Sequence, residues 1–299
     1  MRRLRRFPFI VTLAALAVAL PGPALAQAER SIYASVLDRS GAPVAALTAR
    51  DFTVREDGVQ REVLRATRAD DPIQIAVLVD TSQAAERHVT DIRRALEPFF
   101  AEMSGEHEIA LVGFGERPTT LVQFTRDPAR LEAGIGRLFA RPGSGAYALD
   151  AIVDASRGLR MREGARHVIV IITTEGPEFS QRYHENVLDE LRPSATLQAF
   201  VLTRPGASPR DDGRRQRELT LAEGAVDTGG RREHLLTSMA LADRLRDLAI
   251  ELKHQYRIDY ARPASLIPPD RIDVDVAQRG LTVRAPRVPR APLALRTGS

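Results

Sequence analysis

Few residues of this 299-residue chain stand where covalent chemistry could occur. Asp80 is the strongest candidate, because it closes a near-continuous apolar run over residues 73–80 and is followed by Ser82. An aspartate nucleophile in phosphoryl transfer works with a second acid two residues on and a downstream lysine. Position 82 is serine instead, and the single lysine, Lys253, lies far along the chain. The six histidines are His88, His107, His167, His184, His234 and His254. None builds a His-Glu-x-x-His zinc helix, since Leu111 stands where the partner of His107 belongs. The absence of Cys excludes disulfides, thiolate metal sites and thiol nucleophiles. No Gly-Lys pair exists to cradle phosphate, and no Gly-x-Ser-x-Gly elbow presents a serine. Gly134 and Gly136 are followed by Phe139 rather than a third glycine, so a dinucleotide site is unsupported. Each histidine therefore reads as a surface or helix-end residue. Asp80 and Ser82 also have a plain structural reading, as caps for the helix that follows.

The elements that must position these residues follow from hydrophobic periodicity. Residues 73–80 read as a parallel strand buried on both faces. Residues 84–103 carry Val89, Ile92, Leu96, Phe99, Phe100 and Met103 on one helical stripe. Residues 106–114 and 119–124 read as a hairpin. Residues 127–139 and 147–161 read as helices, 167–173 as a β-branched strand, 183–191 as a helix and 196–202 as a strand. Leu241, Leu245, Leu248 and Leu252 mark a closing helix. Such alternation predicts an α/β fold, a doubly wound and mostly parallel sheet whose ligands bind at the carboxyl edge of its strands. The flanks are β-like. Asp57-Gly58 signals a hairpin, Tyr256, Ile258 and Tyr260 alternate, and so do Ile272, Val274 and Val276. Neither flank can bury a core alone, so the two are expected to pair into a small β domain, with Tyr256 and Tyr260 in its core. Residues 204–218, RPGASPRDDGRRQRE, read as an exposed loop, and the proline-rich residues 286–299 as a flexible tail.

Residues 1–26 read as an address. Arg2, Arg3, Arg5 and Arg6 precede an apolar stretch over 7–20, and Ala24-Leu25-Ala26 offers a small-x-small cleavage pattern. Export to the periplasm or outside the cell is expected, with no transmembrane segment after signal cleavage. The formal net charge of +4 comes entirely from this segment; without it 39 basic face 39 acidic side chains. That balance gives no electrostatic claim on nucleic acid. Aromatics are 5% of residues, with no Trp, so a stacking platform for single strands is also unsupported. The expected organisation is a signal peptide (1–26), an N-terminal β module (27–71), an α/β domain (72–253), a C-terminal β segment pairing with the first module (254–285) and the tail (286–299).

Several stretches resemble one family. VLVDTSQA at 77–84 is similar to the first motif of von Willebrand factor type A (VWA) domains, Asp-x-Ser-x-Ser at a strand end. GAYALDAI at 145–152 is similar to their Gly-Thr-x-x-x-Asp-Ala segment, and VIVIITTEG at 168–176 to their strand ending in Thr-Asp-Gly. LTARDFTVREDG at 47–58, DTGGRREHLL at 227–236 and IELKHQYRIDYARP at 250–263 resemble a bacterial exported "VWFA-related" group.

The resemblance implies a metal-ion-dependent adhesion site. There two serines and a threonine coordinate Mg²⁺, two aspartates hold it mainly through water, and the partner supplies the last carboxylate. A hard dication of this kind demands octahedral oxygen. Carried over residue by residue, Asp80 and Ser82 match, Ala84 and Ala146 replace two hydroxyl ligands, and Glu175 replaces the second aspartate. The expected metal set of Asp80, Ser82 and Glu175 is thus degenerate; no cofactor is expected, with Mg²⁺ as the alternative. The function this implies is a non-enzymatic protein–protein interaction module with a partner in the cell envelope or outside the cell. The alternative is a small-molecule-binding or hydrolytic α/β protein using the same edge.

Overall fold

The computed structural model describes residues 27–164, 166–203, 211–264 and 266–289. The leader expected over 1–26, residues 204–210 of the expected loop and the chain after 289 lie outside them.

The N-terminal flank supplies β1 (Gln27–Leu37), β2 (Phe52–Glu56), β3 (Val59–Arg61) and β4 (Val63–Arg68). Asp57 and Gly58 both take positive φ, 49° and 81°, as a two-residue turn matched to strand twist requires. The central region runs β5 (Ile73–Val79), α1 (Val89–Met103), β6 (Glu108–Gly113), β7 (Thr119–Thr125), α2 (Pro128–Ile135), α3 (Ala148–Arg160), β8 (Arg166–Thr174), α4 (His184–Leu191), β9 (Thr196–Leu202), α5 (Asp212–Asp227), β10 (Arg231–Leu235) and α6 (Leu241–Lys253). The C-terminal flank adds β11 (Tyr256–Pro263), β12 (Ile272–Val276) and β13 (Thr282–Arg284).

The central sheet has the order β10-β9-β8-β5-β6-β7, parallel except for β7. Its strands bury both faces, which is why β5, β8 and β9 read as mostly apolar runs broken only by single polar residues or polar ends such as Gln74, Gln198 and Arg166-His167. Alternate residues serve opposite cores. Ile75, Val77, Val170 and Phe200 pack with α1, α2 and α6 on one side. Leu78, Ile169, Ile171 and Val201 pack with α3, α4 and α5 on the other. Strand order reverses between β5 and β8, so a crevice opens at their carboxyl ends.

The flanks join across the chain. β13-β1-β11-β4 form one antiparallel sheet and β12-β2-β3 a second, around a shared core of Ile32, Val54, Tyr256, Ile258 and Tyr260. Tyr256 and Tyr260 are therefore core residues, as their alternation predicts.

Four expectations need correction. The stretch 84–103 is not one helix: Gln83–His88 is a 3₁₀ segment and α1 starts at Val89. Residues 212–218 are not loop but the opening turns of α5. His107 and His167 are buried beside the starts of β6 and β8, not on the surface. Residues 286 and 287, expected in the tail, are held to the body: Pro286 is buried and the Arg287 backbone bonds Asp227 O at 2.8 Å and Ile272 N at 2.7 Å.

Candidate functional site

The crevice between β5 and β8 is built around Asp80, which is fully buried. One carboxylate oxygen accepts from the Ser82 amide at 2.9 Å. The other accepts from the Thr174 amide at 3.0 Å and the Thr174 hydroxyl at 2.7 Å. Asp80 thus ties the first loop to the end of β8. It does not cap α1, which begins nine residues on. Ser82 starts the 3₁₀ segment without a side-chain cap, and its hydroxyl is buried with no hydrogen-bond partner. Thr81 fastens the loop to the neighbouring strand end by accepting the Gly115 amide at 2.8 Å.

The other two stretches meet this loop. The Gln83 amide donates to Ser144 O at 3.3 Å, and the Gly143 amide to Gln83 Oε1 at 3.1 Å. The Ala146 amide donates to Pro177 O at 2.9 Å and Ala146 O accepts from Phe179 N at 2.7 Å. Gly176 packs on Ala84 so closely that a Cβ there would lie 2.4 Å from the Ala84 methyl. Half-buried Glu175 sits between Thr174, on Asp80, and Gly176, on Ala84. The residues at 80–84, 143–147 and 175–179 therefore converge on one rim.

Sequence reasoning missed what holds the third loop. Glu178 and Arg217 form a buried ion pair at 3.3 Å, and Arg217 also donates to Gly176 O at 3.0 Å. Burial pushes the Glu178 carboxyl up, with Arg217 opposing. The only available signal was Arg217 itself, hidden in a stretch with the composition of a loop. Thr174, the hydroxyl partner of Asp80, was also missed; its place beside Glu175 was the clue.

A dication does not fit this donor set. Of three direct hydroxyl ligands only Ser82 Oγ stands at the site; positions 84 and 146 present methyl groups, and Ala146 is fully buried. Both Asp80 oxygens already accept protein hydrogen bonds. Among the described residues no group of three or more His, Asp or Glu side chains is arranged to hold a metal.

Beside the rim lies a shallow, open groove between Gly115-Glu116, Gly143–Gly145 and the rings of Tyr147 and Phe179. The two rings meet edge to face, 6.2 Å apart.

A doubly wound sheet with loops converging at its switch point is the α/β class in which ligands generally bind at the carboxyl edge of the strands. Residues 75–176, about a third of the chain, match the family model described as von Willebrand factor type A domain. The fold is similar to that of a von Willebrand factor type A protein from Catenulispora acidiphila, at 12% identity and a TM-score of 0.52, covering 87% of this chain and 75% of that one. It is also similar to the pilus adhesin SpaC from Lactobacillus rhamnosus GG in its open conformation, at 11% identity and a TM-score of 0.50. That match covers 85% of this chain but 49% of SpaC, so the chain spans about half of the adhesin's length. The von Willebrand domain of the type V pilus tip protein Mfa5 from Porphyromonas gingivalis matches at 18% identity and a TM-score of 0.32, over 35% of this chain and 38% of that one. No curated protein matches in sequence. At these identities the likeness to the first two is one of fold alone.

Proposed function

We propose that the protein is an exported, non-enzymatic protein-interaction module of von Willebrand type A architecture whose adhesion site has lost its metal. The observation that carries this reading is the rim itself: three loops converge as a metal-dependent site needs, with methyl groups at Ala84 and Ala146 where hydroxyl ligands belong. The shallow groove supports a protein partner over a small molecule, which favours a deep and enclosed pocket. Export rests on the basic-then-apolar leader of residues 1–26. Among the described residues no helix is long and apolar enough to cross a membrane.

Isothermal titration of the protein with Mg²⁺ and Mn²⁺ tests the lost site. No sub-millimolar binding is expected; tight binding that disappears in Ser82→Ala would overturn the reading. Fusing residues 1–26 to a reporter active only after export tests localisation, and a silent reporter would remove the envelope from the proposal. For the partner, recovery from envelope extract should drop when Glu175 is replaced by Lys, and equal recovery would move the binding face elsewhere.

A further inference from the structure

From the last residue of β13 onward the chain carries a three-residue repeat, Arg284-Ala-Pro286, Arg287-Val-Pro289, Arg290-Ala-Pro292. The first unit is fastened to the body: Arg284 pairs with Glu251 at 2.8 Å, Pro286 is buried, and the Arg287 backbone bonds Asp227 and Ile272. Val288 and Pro289 are half-buried, and Arg290 and Pro292 lie outside the described residues. A polyproline II helix has three residues per turn, so this spacing puts prolines on one face and arginines on another. Segments of that kind dock in aromatic-walled grooves.

The Tyr147–Phe179 groove has the matching form. Phe179 is 50% exposed and stands edge-on to Tyr147, giving one apolar wall. The facing side is backbone, and its glycines are obligatory. Gly143 takes a φ of 76°, and a Cβ on Gly145 would lie 2.6 Å from the Phe179 ring. At the rim stands Glu116, its side chain 61% exposed and paired at 3.3 Å with exposed Arg141. Such an exposed pair is worth little, so an incoming arginine can replace Arg141 at small cost.

Groove and repeat of the same chain cannot meet. Arg287 is anchored at the amino end of β9, beside the turn after α5. The groove lies past the carboxyl ends of β6 and β8. The sheet is about 20 Å tall there, at about 3.3 Å per residue, and the groove is also displaced by two to three strand spacings of about 4.8 Å. Pro292 is only five residues beyond Arg287, about 15 Å in polyproline geometry. We propose that the Arg-x-Pro segment of one copy, through Pro289, Arg290 and Pro292, seats in the Tyr147–Phe179 groove of a second copy. The contact is heterologous, so chains add head to tail rather than closing into a symmetric pair. This inference rests on the reading that the strand-end rim is a protein-binding face, and it names the occupant.

The test is titration of a labelled peptide of residues 287–299 with the full chain. Saturable micromolar binding is expected. Truncating an aromatic anchor should weaken it about tenfold or more in Phe179→Ser. A peptide with Pro289→Ala and Pro292→Ala should lose as much. Glu116→Lys, which leaves the apolar wall intact, should weaken binding and flatten its salt dependence. Sedimentation of the full chain should show mass rising with concentration, abolished by deleting 290–299. No binding up to millimolar concentration, or equal binding by Phe179→Ser with an unchanged melting curve, would overturn the proposal. So would equal binding of a scrambled peptide of the same charge. Loss of peptide binding with capture of an envelope partner retained would sink this inference alone; peptide binding without any envelope partner would support it and count against that partner.

Discussion

Asp80 and Ser82 sit two residues apart in the same buried loop, yet their removal has opposite consequences. Asp80 accepts two backbone amides and the Thr174 hydroxyl, joining β5 to β8. In Asp80→Ala those buried donors are left without partners, at about 1–3 kcal/mol each before relaxation, so a loss of about 3 kcal/mol in urea denaturation is expected. The Ser82 hydroxyl is buried and satisfies nothing. Ser82→Ala should therefore be neutral within about 0.5 kcal/mol, or mildly stabilising, since removing an unpartnered polar group lifts a desolvation cost. A large destabilisation by Ser82→Ala would mean that this hydroxyl holds a ligand after all.

The loop after β8 owes its place to a helix that does not look like one in the sequence. The buried side of α5 is Arg217, Thr220, Leu221, Gly224 and Ala225, which presents no apolar stripe to periodicity. Its arginine is buried because Glu178 and Gly176 O receive it. Breaking such a pair from one side leaves a charge in the interior, so Arg217→Leu should cost about 3–5 kcal/mol, measurable as a lower denaturation midpoint. The starts of the central strands hold a second device. His107 beside β6 accepts weakly from the Ile73 amide at 3.4 Å, and burial, helped by Arg166, keeps its imidazole below the ordinary value. A base with a depressed folded-state value stabilises fully above its unfolded value, about 6.5, and loses that contribution as the pH falls through the folded one. Stability should drop on acidification below about pH 6.5, and His107→Gln should flatten that part of the profile in pH-dependent melting.

At the scale of the whole chain, Arg166 fastens the flanking sheet to the central one. Its guanidinium donates to Ala69 O at 3.3 Å, Asp71 O at 2.8 Å and Gln255 Oε1 at 3.0 Å, and lies over the Tyr33 ring. Burial lowers its pKa to about 10. Arg166→Met keeps the bulk but deletes the donors. Amides of β1 and β11 should then exchange faster with deuterium while those of β5 and β8 keep their protection. Unchanged exchange in β1 would show that strand pairing alone carries the joint.

Much of this was legible because burial on both faces leaves a mark in composition. β5, β8 and β9 could be read as parallel strands, and the Asp57-Gly58 hairpin from backbone chemistry alone. Motif order in the sequence picks out Asp80, Ala84, Ala146 and Glu175 as rim residues. What escaped were features decided by partners remote in the chain. α5 needs Glu178 to bury its arginine. β10, the short edge strand Arg231–Leu235, needs β9 beside it to be a strand at all. The late start of α1 follows from the Gln83–His88 segment turning over the crevice. Local composition determines which segments bury themselves and how the backbone turns between them, because hydrophobic period and left-handed φ act within a few residues. The fate of a buried charge, and the shape of the surface that three separated loops make together, depend on contacts between distant segments, and those exist only once the sheet has formed.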